Sequence, residues 1–64
     1  MTEFQRTMSV RAKQSEVRAE MYSGLAKCAF SQEEQDALLQ IADGFRKLAK
    51  VQEVMATDDK EADA

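Results

Sequence analysis

The 64-residue chain has no histidine, no proline and no tryptophan, a single cysteine and two glycines. Each scarcity removes something. Without histidine the chain lacks the commonest general base and metal ligand at neutral pH. One thiol and no paired-cysteine spacing leave too few ligands for a structural zinc site, and Cys28 has no internal partner for a disulfide. With no proline and so little glycine, the chain lacks the punctuation of a turn-rich β domain. No apolar run approaches the ~18 residues of a membrane-crossing helix, and the opening MTEFQRTMSV has neither the basic start nor the apolar stretch of a secretory leader. A cytoplasmic protein, reduced at Cys28, is expected.

What remains is 44% hydrophobic and 33% charged, too apolar for a disordered tail and suited to helices. A chain this short buries only about 60% of its unfolded surface. Below ~70 to 80 residues, chains without disulfides or metal usually rely on association, so an oligomer is expected. The net charge of −3 is unevenly spread: residues 1–30 carry five bases against three acids, residues 31–64 four against nine. Complementary halves favour packing of the chain on itself or on its copies, and an acidic total does not attract nucleic acid or anionic lipid.

Thr2 and Gln5 have the form of a capping box and open helix 1, expected over residues 3–28. At 100° per residue, Phe4, Met8, Ala12, Ala19, Tyr22, Ala26 and Ala29 fall on one flank and Val10, Val17, Met21, Leu25 and Cys28 on another. Gln5, Ser9, Lys13, Glu16, Glu20, Ser23 and Lys27 form the polar face opposite. So wide an apolar arc calls for two neighbours. The segment 10–30 also divides into three sevens, VRAKQSE, VRAEMYS and GLAKCAF, that align Ala12, Ala19 and Ala26. A sustained seven-residue period with small side chains marks supercoiled helices packed closely.

Ser31 with Glu34 is a second capping box and starts helix 2, expected over residues 32–55. Leu38, Ile41, Phe45, Leu48, Gln52 and Met55 step by three and four to make its seam, with Ala42, Ala49 and Ala56 alongside. Gly44, at the edge of this face, suits close approach of another helix. The final string from Thr57, TDDKEADA, has four acids, one base and no apolar period, and reads as a disordered acidic tail over residues 57–64. The expected fold is all-α: a two-helix antiparallel hairpin over residues 1–56 that dimerises into a four-helix bundle.

The segment Tyr22 to Ala49, YSGLAKCAFSQEEQDALLQIADGFRKLA, resembles short helical-hairpin proteins of alphaproteobacteria. Leu38, Leu39, Ile41, Ala42, Phe45, Leu48 and Ala49 match their Leu-Leu-x-Ile/Leu-Ala, aromatic, Leu-Ala pattern. Ser31-Gln32-Glu33 departs from the usual Asp-Pro-Glu turn, and Phe45 from Trp or Tyr. The resemblance implies a hairpin and carries over no catalytic or binding residues.

The acids Glu16 with Glu20, and Glu33 with Glu34, fall on exposed or capping positions and match no inward metal-binding pattern. No enzymatic role, cofactor or metal is expected. Cys28 reads as a small buried hydrophobe, with a redox-sensitive thiol as the other option. Arg11 and Arg18, each in a Val-Arg-Ala triplet, lie between the two apolar flanks of helix 1. Their stems must pack with the heads in water, or the heads must meet carboxylates. Asp36 and Asp43 repeat at the same spacing, so the arginines are expected to pair with acids across a helix interface and set its register, with Gln52 contributing. The expected interface comprises Arg11, Arg18, Ala12, Ala19, Tyr22, Leu25, Leu38, Ile41, Phe45, Leu48 and Gln52. The function expected is that of a small protein-interaction or regulatory module, a homodimer with a protein partner as a further option. The alternative is an RNA-binding regulator of the ROP kind, for which Arg6, Lys13 and Lys27 would be the footprint; Glu16 and Glu20 interrupt it and no interleaved aromatics offer stacking.

Overall fold

The computed structural model describes residues 1–57, and the acidic segment 58–64 lies outside the described residues. Two 25-residue helices, α1 (Glu3–Lys27) and α2 (Gln32–Ala56), pack against each other as a hairpin. Both helices start where a hydroxyl caps them. The Gln5 backbone N–H donates to Thr2 Oγ1 at 3.0 Å, and the Thr2 N–H donates back to Gln5 Oε1 at 2.8 Å, which satisfies two free donors of the first turn. At α2 the Glu34 N–H donates to Ser31 Oγ at 3.1 Å, but the Glu34 carboxylate accepts from the Phe30 N–H at 2.7 Å. The reciprocal half of the expected box is thus displaced one residue towards the bend, where it ties down Phe30.

α1 stops at Lys27, one residue before its expected end, and Cys28 takes the C-cap position with φ −107°. The bend closes with the Cys28 N–H donating to Leu25 O and the Ala29 N–H to Ala26 O. No described residue has a positive φ. The turn therefore needs no glycine, which is why none marks it in the sequence.

The seam between the helices is built on alanine. Ala12, Ala19 and Ala26 of α1 and Ala42, Ala49 and Ala56 of α2 are all buried, Ala42 completely. Between them on α1 stand buried Met8 and Ser15 and half-buried Tyr22, and on α2 half-buried Leu38, Phe45 and Gln52. Tyr22 and Phe45 stack with ring centroids 5.7 Å apart and planes 10° from parallel. Gln5, expected on the polar face, is buried, because it stands seven residues before Ala12 and so begins the same row as Ala12, Ala19 and Ala26.

The expected phase of α2 needs correction. Ile41, Leu48 and Met55 do not lie in the seam but beside it, each 39–43% exposed, while the alanines take the centre. A seven-residue row of methyl groups lets two backbones approach closely, and larger side chains are pushed to the flank of such a contact. Gly44 also departs from expectation within the hairpin: a Cβ built there meets nothing within 4 Å, so no described helix approaches it closely. The Cα framework is only 11 Å in its thinnest dimension. Two helices lie side by side, and among the described residues nothing covers either broad face of the pair.

Candidate protein-interaction face

The alanine rows define the two faces. In an antiparallel pair, residues at equal offsets from the two alanine rows fall on the same side of the seam. The offset of +4 places Glu16 and Ser23 of α1 with Arg46 and Glu53 of α2, and contacts bear this out. Arg46 Nη2 donates to Ser23 Oγ at 2.9 Å. Glu16 is hydrogen-bonded to Glu53; that bond first, then the Glu53 charge and slight desolvation, raise the Glu16 pKa, with Lys13 opposing. Lys13, Glu20 and Lys50 line the same side. This face is polar and charged.

The offset of −1 places Arg11, Arg18 and Leu25 with Ile41, Leu48 and Met55 on the opposite face. All six are exposed. Phe4 continues the row and is 57% exposed, and the half-buried edges of Tyr22, Leu38 and Phe45 lie between the two rows. A contiguous apolar surface with two guanidinium groups set in one half of it is therefore left uncovered. Large exposed apolar patches of this kind mark interaction sites.

The expected interface residues separate into three groups. Ala12 and Ala19 are consumed in the hairpin seam; Tyr22, Leu38, Phe45 and Gln52 border it; Arg11, Arg18, Leu25, Ile41 and Leu48 form the open face. Within the chain Arg11 and Arg18 do not meet Asp36 and Asp43. Asp36 accepts from Gln32 Nε2 at 2.8 Å, and Asp43 pairs with Lys47 at 3.2 Å one helical turn away on α2. Those two acids each stand one residue after the buried row of α2, at the same seven-residue position as Lys50, and so lie on the polar face, opposite the one that carries the arginines. Gln52 does not reach the arginines either; its Oε1 accepts from the buried Ser15 Oγ at 2.7 Å.

Ser15 was not among the expected seam residues. The signal for it is its position midway between Met8 and Tyr22 at seven-residue steps, where a small hydroxyl fits an alanine-spaced contact. Cys28 is exposed, contrary to the expectation of a buried hydrophobe, because the second apolar flank of α1 has no helix over it in the hairpin. Val10, Val17 and Met21 are exposed on that flank for the same reason. No helix of the described residues is long and apolar enough to cross a membrane. Among the described residues no cluster of three or more histidine, cysteine, aspartate or glutamate side chains could hold a metal ion. Comparison with protein-family models, with curated proteins and with solved structures found no match to the chain.

Proposed function

We propose that this chain is a small, non-enzymatic protein-interaction module that works as a homodimer, two hairpins meeting through the open apolar face to form a four-helix bundle. The observation that carries this is the row Leu25, Ile41, Leu48 and Met55 lying exposed, at helical spacing, on one face of a plate that has no third layer among the described residues. Area supports it. A face about 38 Å long, from 25 residues at about 1.5 Å each, and 19 Å across offers about 700 Å² per copy. Two copies would bury about 1,400 Å², within the ~1,200 to 2,000 Å² of specific, stable interfaces. A second copy also matches in length and in apolar character, since it is the same surface. The likeness of Tyr22 to Ala49 to short bacterial hairpin proteins belongs to the same proposal.

Sedimentation equilibrium tests it. The wild-type chain is expected at twice its 7.2 kDa mass, and Leu48→Glu, which puts a charge at the centre of the face without touching the alanine seam, at the monomer mass. A wild-type chain that stays monomeric and folded at tens of micromolar overturns the proposal.

A further inference from the structure

Identical faces can meet about a twofold axis in two ways. With the axis across the helices, α1 lies over the partner's α1 and the two bends point to opposite ends. With the axis along the helices, α1 lies over the partner's α2 and the bends share one end. Facing helices run antiparallel in both, so their dipoles do not choose between them.

The charges do. We infer that, in the dimer proposed above on which this rests, each α1 packs over the α2 of a second copy, with both bends at the same end of the bundle. The midpoint of α1 is Ser15, and Arg11 and Arg18 stand four residues before and three after it. With the axis across the helices, Arg11 would fall within one residue, about 1.5 Å along the axis, of the partner's Arg18, and the converse pair would form beside it. Four guanidinium groups would be withdrawn from water against one another. Like charges placed together in this way exclude an arrangement as effectively as good contacts favour one.

With α1 over the partner's α2, the same arginines meet the half of the face that carries Leu38, Ile41, Phe45, Leu48 and Met55 and no cation. Their stems lie on apolar surface while the heads reach the rim. The helices as wholes agree. α1 holds five bases and three acids, a net of +2, and α2 three bases and five acids, a net of −2. Crossed pairing sets opposite charges together twice, and like pairing sets +2 on +2 and −2 on −2.

The native Cys28 is the reporter. It is exposed at the end of α1, so a spin label can be attached to the full wild-type chain and the label-to-label distance read by pulsed dipolar spectroscopy. Helices 8–10 Å apart put diagonal neighbours about 14 Å apart, and with the label arms a distance of roughly 15–30 Å is expected. A short bis-maleimide linker on the unlabelled chain is expected to give a covalent dimer in high yield. A distance near 40 Å, the length of the helix, together with no linked dimer, in a sample that sediments as a dimer, overturns the inference and leaves the dimer standing. A sample that sediments as a monomer and shows no distance overturns both.

Discussion

Glu16 and Glu53 face each other from adjacent helices because they share one offset from the alanine rows, and their proximity makes the proton on Glu16 harder to lose. The hydrogen bond to Glu53 and the Glu53 charge both act in that direction, while Lys13 opposes. A carboxyl whose folded pKa is raised binds more protons folded than unfolded, so its contribution to stability is present at low pH and is lost as pH rises through the folded value. Glu16→Gln retains a hydrogen-bonding side chain and removes the charge. The variant is expected to match the wild type in thermal melts below the ordinary carboxylate range and to melt higher at neutral pH, the gap opening as pH rises. A gap independent of pH would show that the two carboxylates do not interact. Both groups are on the surface, so the effect shrinks with added salt. Cys28 shows the complementary point at the same scale. Its place on an apolar flank is legible in the sequence, but whether a flank is covered depends on how many helices are present.

At the scale of the element, most of the hairpin can be read from residues alone. Thr2 and Ser31 mark both helix starts because a side-chain oxygen beside free backbone N–H groups is a local arrangement, settled within four residues. The phase of α2 was not legible in the same way. Ile41, Leu48 and Met55 lie within about 100° of Ala42, Ala49 and Ala56 on the helix, and hydrophobicity points to the larger side chains. Interhelical distance decides for the smaller ones, and distance is a property of the pair. The alanine row is consequently intolerant of volume. Ala42→Leu, at a position with no exposure, is expected to cost about 1–3 kcal/mol by overpacking, a fall of about 4–8 °C in melting temperature per kcal/mol. Gly24→Ala, in a helix interior where an added Cβ meets nothing within 4 Å, is expected to gain about 0.5–1 kcal/mol. Urea denaturation of the two variants checks both signs. Equal tolerance at the two positions would show that the alanines are present for helix propensity and not for close contact.

For the molecule as a whole, the seam is narrow: no large side chain is fully buried among the described residues. Each buried methyl contributes only roughly 0.8 kcal/mol, and larger apolar groups such as Leu48 still lie against water on the open face. If covering that face by a second copy supplies much of the stability, unfolding is linked to dissociation and the melting temperature depends on protein concentration. A hundredfold dilution of the wild-type chain is expected to lower it by several degrees, and the same dilution of Leu48→Glu to leave it unchanged. A wild-type melting temperature indifferent to dilution would show that the hairpin is stable alone. The pairing of Arg11 and Arg18 with Asp36 and Asp43 belongs to this scale as well. Equal spacing along two helices is visible in a sequence, but the rotation of each helix about its own axis is not, and that rotation puts the two aspartates on the polar face, opposite the one that carries the arginines.

The sequence by itself determined the helices, their caps, the seven-residue alanine rows and the opposite charge of the two halves. All of these follow from interactions within a few residues or from counts along the chain. Only the tertiary structure decided which stripe of each helix is spent on the hairpin and which is left over. That choice turns on how closely two backbones approach: the alanines permit the close contact, and so Leu25, Ile41, Leu48 and the two arginines remain outside it, on one open face.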